Sequence, residues 1–432
     1  MIKKVFITTD LTFGDAGKGA TVDALVRNQC AGTVIRFNGG AQAAHNVIHN
    51  RVHHTFAQFG SGTMVPGVKT ILSKNVLVNP LAMILEERAL QKIGITDAYK
   101  RMYVHSSCVV TTPFHCALNR IKELIRGDSR HGSCGMGIGE TVQDKIDCNS
   151  PLSFYLLCRP HLTEKLRLIR NRLYKQVITL KRDYAKKFEE SNELKQEADI
   201  FVNEDFLQIV VEMCKSLVHE VNLIHSDFEL GSKMSDTTVF EAAQGVLLHE
   251  DYGFAPYNTW SDTSMTNANN LLRTIDFKGQ VTKMGIIRSY LTRHGPGPFV
   301  TESTELSKKL NEKHNTNNVW QREFRAGWLD IAALKYALKI NGHIDYLVVN
   351  HVDQLEQLEN WNINIGYSHN NEVYTPYMGE PDITETMFQA KPIYQTVHKD
   401  NVLAAIKKHL NIPIAITGHG ANTEDRKFYF SL

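Results

Sequence analysis

The amino-acid sequence predicts an α/β fold: a large central, mainly parallel sheet carrying a P-loop-like phosphate loop, with helical and small β subdomains around it. Three observations carry that expectation. The apolar, β-branched run Val5-Phe6-Ile7-Thr8-Thr9 reads as a buried strand, and beyond a glycine-rich turn residues 22–27 read as a helix. Strand-like and helix-like segments then alternate through residues 1–130, the pattern of parallel strands joined by crossover helices. Strand-like runs return at 238–240, 281–287 and 345–349, each leading into a polar or glycine-containing segment. In open α/β sheets, ligands bind at those carboxyl ends of the strands.

Residues 34–37 and 70–72 supply further strands, and 80–93 place apolar residues near helical spacing. Residues 162–197 contain no glycine or proline and are rich in Lys, Arg, Glu and Leu, predicting one or two long amphipathic helices with a solvated charged face. Pro, Gly and Asn cluster at 294–298 and 311–318 and mark loops, the second polar enough to be mobile before a ligand binds. No internal repeat or low-complexity tract interrupts this order. One domain over 1–432 is expected, with a helical insertion at about 160–225 and a carboxyl-terminal subdomain at about 330–432.

Composition narrows the class. Hydrophobic content of 42% and charge of 22% are ordinary for a globular protein, and a net charge of +2 gives no electrostatic case for nucleic acid or a membrane surface. No run of 18 apolar residues and no signal-like amino-terminal segment is seen. The seven cysteines form no C-x-x-C pair, which favours free thiols in a reducing, cytoplasmic setting.

The chemistry begins at the first turn. Gly14, Gly17 and Gly19, with Ala20 and Thr21 leading into the helix, expose backbone N–H groups at its positive end, which suits a phosphate. Lys18 adds a point charge. Asp15 adds a carboxylate that a phosphate cradle does not need, pointing to a Mg²⁺ ligand, a general base, or both. Gly19 stands where a standard P-loop has Ser or Thr. Taken alone, the stretch is also an ordinary strand–turn–helix corner.

Four further constellations follow the strands. Gly39-Gly40-Ala41-Gln42-Ala43-Ala44-His45 combines small residues, which let backbone approach a ligand, with a histidine that is either a general acid or structural. The glycine-rich stretch 132–139, with Ser133 and Cys134, is a second potential phosphate loop or a flexible turn. Gln244 offers an amide donor and acceptor that suit a purine edge, and equally a strand end; Thr259 places a hydroxyl in a nearby loop. Arg322 and Arg325 flank an expected helix start and are either carboxylate or phosphoryl ligands or surface charges. Finally, Asn350, His351 and Asp353 follow an apolar strand, where a carboxylate either reads guanine or caps a turn.

Together and in this order, these segments resemble the adenylosuccinate synthetase family over nearly the whole chain. Residues 14–19 look like its G-D-E-G-K-G loop, 39–45 its G-G-x-N-A-G-H segment, and 132–139 its G-T-T-G-R-G-I-G loop. Residues 241–248 and 256–259 match E-G-A-Q-G-x-L-L and P-Y-V-T. Residues 292–299 resemble T-R-V-G-x-G-P-F, 325–330 resemble R-T-G-W-L-D, and 350–353 fall on T-K-L-D. The resemblance implies a ligase that joins L-aspartate to C6 of IMP, driven by GTP with Mg²⁺ at Asp15 and Ala44. It implies that Asp15 takes the N1 proton, that the O6 anion attacks the γ-phosphate, and that His45 stabilises the leaving oxygen. Gln244 with Gln42 would then hold the purine, and Thr259 with Ser133 and Cys134 the 5′-phosphate. Lys18 would sit near the phosphates, Arg322 and Arg325 at the aspartate, and Asn350, His351, Asp353, Gly418 and Gly420 at the donor base. A homodimer is the family's usual state.

Departures sit inside the site. Gln42 replaces Asn, Cys134 replaces Thr, Met136 and Cys148 replace arginines, and His351 replaces the lysine that packs on guanine. The segment 318–325 carries little positive charge. Unpartnered buried groups typically cost about 1–3 kcal/mol each, so these changes imply relocated partners or a changed substrate. Three readings follow: an IMP ligase; a relative acting on dGMP, GMP or dIMP, with ATP as a possible donor; and a catalytically idle nucleotide-binding or regulatory protein.

Overall fold

The computed structural model describes residues 3–148, 150–310, 320 and 324–429. Its centre is a ten-stranded sheet. In chain order the strands are β1 (Lys4–Asp10), β2 (Thr33–Arg36), β3 (Lys69–Leu72), β4 (Met102–His105), β5 (Asn222–Ile224), β6 (Thr237–Glu241), β7 (Gln280–Arg288), β8 (Tyr346–Asn350), β9 (Ile414–Gly418) and β10 (Arg426–Phe428). In space they run β10-β9-β8-β7-β1-β6-β2-β3-β4-β5. All neighbours are parallel except β9 and β10, which pair antiparallel at one edge.

Alternation along β1 explains why the sheet is covered on both faces. Val5 and Ile7 pack on one face with Phe240, Ile287, Leu347 and Val349, while Phe6 packs on the other with Val22, Leu25, Met284 and Val348. Each such side chain, fully buried, contributes about 1.5–3 kcal/mol. The chain leaves β1 through helix α1 (Lys18–Asn28) to build β2 to β5 on one side. It returns to insert β6 beside β1, then builds β7 to β10 on the other side. The reversal places a crevice at the carboxyl end of β1, with Asp10, Arg36, Glu241, Arg288, Asn350 and Gly418 ending the surrounding strands.

Two local expectations are corrected. Between 162 and 199 stand three helices, Leu162–Asp183, Ala185–Glu190 and Asn192–Asp199, rather than one or two. The Ser191 hydroxyl accepts the Leu194 N–H and starts the third. Leu162, Leu166, Ile169, Leu173 and Val177 form the buried stripe of the first helix. The arginine-bearing segment is not a helix start: Phe324–Gly327 is a strand, paired antiparallel with Leu291–His294. The helix begins only at Ile331, where Asp330 accepts the Ala333 N–H at 2.9 Å. The loop expected at 311–318 lies outside the described residues.

Candidate active site

The glycine-rich turn after β1, expected from the sequence to hold phosphate, is built around a residue that sequence reasoning missed. Asp10, the last residue of β1 and fully buried, accepts four hydrogen bonds. Its Oδ1 takes the Thr12 N–H (2.8 Å) and hydroxyl (2.6 Å), and its Oδ2 takes the Ala16 N–H (3.0 Å) and the Lys18 ammonium (2.9 Å). Lys18 is itself buried, so a buried ion pair spans the turn. Gly17 caps α1 in the left-handed region (φ 81°) with no side-chain cap. The first N–H groups of α1 are therefore left for an anion. Gly19 lets α1 lie against the short strand His45–His49, because a Cβ there would stand 2.7 Å from the Asn46 carbonyl oxygen. Ala20 is buried, and the Thr21 hydroxyl donates to the Gly17 carbonyl at 2.9 Å.

Asp15 projects from this loop with φ 59°, a conformation unusual outside glycine. The Arg288 guanidinium donates to its carbonyl (3.1 Å), and His294 Nε2 lies 3.2 Å from its Oδ2. Desolvation in the crevice raises the Asp15 pKa, but the His294 hydrogen bond and the charges of His294, Lys18 and Arg288 outweigh it and hold the carboxyl below its ordinary value. It is a carboxylate at neutral pH.

His45 begins the strand His45–His49, which packs against α1. Its Nδ1 lies 2.6 Å from Glu241 Oε1, with both side chains buried. Ser61 donates its hydroxyl to the same carboxylate and its N–H at 2.9 Å. Burial pushes the His45 pKa down to about 4 against the raising effect of Glu241. Burial opposes ionisation of Glu241 as well, yet Arg36 and His45 hold it down to about 2. Nδ1–H therefore donates to an ionised Glu241, which leaves Nε2 as the nitrogen not engaged by that carboxylate. Glu241, at the end of β6, entered the sequence analysis only as the first residue of the 241–248 segment, with no role of its own.

Gly39 stands between two amide side chains: a Cβ there would lie 2.9 Å from Gln244 Oε1 and 3.5 Å from Gln42 Nε2. Gln42 Oε1 and Nε2 and Gln244 Oε1 are buried without a hydrogen-bond partner, and Gln244 is held at φ 56°. Native proteins seldom leave such groups unmatched unless a ligand supplies the partner. Ala44, just before His45, is exposed. The glycine-rich loop lies beside this niche, with Gly139 against Trp260 and Gly132 against Pro296. Gly137 starts the helix Ile138–Asp147 in the left-handed region, again without a side-chain cap. The Ser133 hydroxyl donates to Asn119 at 2.7 Å, and burial raises the Cys134 pKa, keeping a neutral thiol. The Thr259 N–H donates to the Leu248 carbonyl at 2.9 Å.

The remaining expected residues divide. Arg325 is bound to Glu302 (2.8 Å) and to the carbonyls of Gly295 (2.6 Å) and Gly297 (3.0 Å), so it braces the 295–297 loop. Arg322 lies outside the described residues. Asn350 donates to the Ala16 carbonyl (2.6 Å) and Thr21 hydroxyl (3.1 Å), tying β8 to the phosphate loop. A Cβ at Gly418 would meet its Oδ1 at 2.2 Å, and one at Gly420 would meet Asp425 at 2.3 Å. His351, in the left-handed region, lies 3.4 Å from Arg288. Asp353 Oδ1 is buried with no partner. Besides Asp10 and Glu241, the sequence reading missed Arg288 and His294. Their partners lie hundreds of positions away, and no local pattern marks them.

Comparison with known proteins bears on the family and the fold. A family model described as "Adenylosuccinate synthetase" matches residues 7–417. The adenylosuccinate synthetases of Francisella tularensis subsp. novicida (strain U112) and subsp. tularensis (strain WY96-3418) are each 30% identical, covering 96% of both chains. The fully ligated adenylosuccinate synthetase from Plasmodium falciparum shares the fold at TM-score 0.76 and 21% identity, covering 99% of this chain and 100% of that one. Cyanophage S-2L succinoaminodeoxyadenylate synthetase (PurZ), bound to dGMP and to dATP as an energy donor, shares it at TM-score 0.62 and 14% identity, covering 99% and 96%. With the family model spanning almost all of the chain and the phosphate loop, His45–Glu241 pair and amide niche gathered at one crevice, this protein belongs to the adenylosuccinate synthetase family of ligases.

Proposed function

We propose that this chain joins L-aspartate to C6 of a 6-oxopurine nucleoside 5′-monophosphate, IMP foremost, through a 6-phosphoryl intermediate made from GTP. The observation that carries this reading is the ionised Asp15 beside the uncapped start of α1, with the His45–Glu241 pair packed on the same helix. Oxide is a poor leaving group, so O6 must be activated before an amine can replace it. Asp15 removes the N1 proton, and the resulting O6 anion takes the γ-phosphoryl group while the N–H groups of α1 hold the phosphates. His45 Nε2 faces the developing charge on the β,γ-bridging oxygen. Bound phosphate raises its low pKa and lets it deliver a proton. The aspartate amine then adds at C6, and phosphate leaves.

The donor set fits Mg²⁺. Asp15 Oδ1 has no protein hydrogen bond, and no cluster of three or more His, Cys, Asp or Glu suited to a metal occurs among the described residues. Asp15 and Ala44 would hold the ion together with substrate phosphates, and it would neutralise phosphate charge there. Gln42 and Gln244 supply unmatched donors and acceptors for the purine, and Asp353 Oδ1 an unmatched acceptor for the donor base. Ser133, Cys134 and Thr259 border the monophosphate, and Arg322 takes the aspartate. We also place the enzyme in the cytoplasm as a homodimer; among the described residues no helix is long and apolar enough to cross a membrane.

A second reading is favoured by the longer amide of Gln42 and by the cyanophage neighbour named for dGMP and dATP: the acceptor is dGMP, GMP or dIMP, with ATP as donor. The test is phosphate release by the purified protein with Mg²⁺, L-aspartate and GTP or ATP against IMP, dIMP, GMP and dGMP, with products identified by mass. Turnover on IMP supports the first reading, and turnover on another nucleotide alone the second. Silence across the panel would leave a nucleotide-binding protein without ligase activity, a role that Asp15→Ala would not disturb.

A further inference from the structure

We propose that His294 is a positioning residue for Asp15: it fixes the orientation of that carboxylate for proton removal from the purine. The inference rests on the ligase reading above. His294 ends the strand Leu291–His294 and points Nε2 at Asp15 Oδ2, 3.2 Å away. The carboxylate is thereby split between two tasks. One oxygen, Oδ2, is held by the imidazole N–H, and the other, Oδ1, is left to the purine and to the Mg²⁺ that the proposed function assigns to Asp15.

The surroundings hold the imidazole in place. Its ring packs on Phe324, with centroids 5.1 Å apart, and Phe324 is its partner across the antiparallel pair. The next residue, Gly295, turns at φ 70°, and its carbonyl is clamped by Arg325 at 2.6 Å. Arg293, the preceding residue, donates to the carbonyls of Pro298 and Tyr257, each at 2.9 Å. The histidine thus stands on a braced hairpin. Asp15 stands on a loop whose main chain is gripped by Arg288, which also donates to the Thr292 hydroxyl of the hairpin at 3.0 Å. Loop and hairpin touch again where the Arg293 guanidinium lies 4.3 Å from the Phe13 ring centroid, and the His294–Asp15 contact is the one of these that reaches the carboxylate. An Asp in a left-handed conformation, 37% exposed, would otherwise sample several side-chain rotamers. The family segment resembled by residues 292–299 has valine at this place, which offers no hydrogen bond.

The experiment compares the parent with His294→Val and His294→Gln. Gln keeps an N–H donor near the position of Nε2; Val keeps only bulk. Misplacing a reacting group by about 1 Å can cost up to about a hundredfold in rate. H294V is therefore expected to lose roughly tenfold to a hundredfold in kcat with KM for the nucleotides shifted less than about threefold, and H294Q to recover most of that loss. Equal kcat in H294V and the parent overturns the proposal. So does a loss of nucleotide affinity that accounts for the whole effect, or an H294Q variant no better than H294V. A second readout does not need turnover. In long-range ¹H–¹⁵N spectra of labelled protein, the His294 ring signals, assigned by their loss in H294V, should move in Asp15→Ala; unmoved signals overturn the contact. If the parent turns over no nucleotide in the panel, the ligase reading fails and the catalytic part of this proposal with it. Signals that still move would show that failure to be separate from the contact.

Discussion

Replacing Asp10 by Asn tests the idea that a buried carboxylate, rather than the glycines alone, shapes the phosphate loop. An Asn side chain has one acceptor oxygen in place of two. Turned one way, its NH₂ group faces two donors, the Ala16 N–H and the Lys18 ammonium; turned the other, it faces the Thr12 N–H, while the Thr12 hydroxyl can accept from it and donate to the Gly14 carbonyl. Lys18, only 4% exposed, then loses its counter-charge. Breaking a buried pair by removing one partner typically costs about 3–5 kcal/mol. At about 2.1 cal/mol/K per residue, unfolding 432 residues carries an entropy of roughly 0.9 kcal/mol/K, so D10N should lower Tm by roughly 3–5 °C. Removing the stranded charge as well should restore part of the loss. D10N/K18M should therefore melt above the sum of the two single effects, with a coupling of about 0.5–3 kcal/mol. Differential scanning calorimetry of the four proteins reads both numbers. A D10N protein within about 1 °C of the parent, or strict additivity in the double variant, would refute the reasoning.

Glu241→Gln leaves His45 without its carboxylate; phosphate release should fall by roughly a hundredfold or more, and His45→Ala in the same protein should add little, since the two act as one unit. Gln42→Leu removes unmatched buried polar atoms, so the ligand-free protein should melt at or above the parent's temperature while purine monophosphate binding, measured by calorimetric titration, weakens by about tenfold or more. Asp330 is buried, and its pKa is pushed up to about 6, from 3.8, against the Ala333, Tyr367 and Asn364 hydrogen bonds that lower it. Because the folded state holds this proton more tightly, the contribution of Asp330 to stability is fully present below pH 3.8 and is lost as pH rises towards 6, at about 1.4 kcal/mol per pH unit. Asp330→Asn can keep the Ala333 cap and should flatten that part of the parent's pH–stability curve; urea unfolding of both proteins from pH 4 to 7 reads the difference.

The fold was legible because its signals are local. Continuous apolar runs such as 5–9 suit strands buried on both faces, and glycines at their ends marked the ligand-facing edge. The loop from Gly14 to Thr21 was readable for the same reason. What stayed hidden was set by partners far along the chain. Asp10 drew no reading from the sequence, because the four donors that define it come together only in the folded loop. Glu241 and His45 are 196 positions apart, and no spacing relates them. The segment at 324–327 was misread as the approach to a helix because its strand character comes from pairing with 291–294, not from its own residues. One signal was available and missed. Asn50-Arg51, both at positive φ, close the hairpin of His45–His49 and Val52–Phe56, and an Asn between two β-branched runs is a hairpin cue.

The place of β6 between β1 and β2 also governs how the protein is made. On the ribosome, the first two strands of the sheet lack their shared neighbour until residue 241 has been synthesised. At about 5–20 residues per second, the roughly 200 residues from Arg36 to Thr237 take about 10–40 s. For that interval their unpaired edges are available to other chains. Further ties come later still: Thr423 bonds Asp23 of α1 at 2.7 Å, and Asn422 bridges to Ile48. A nascent chain therefore carries open strand edges through nearly half of its synthesis, and a late stop codon would remove ties to helix α1 and to the strand His45–His49 near the other end of the chain.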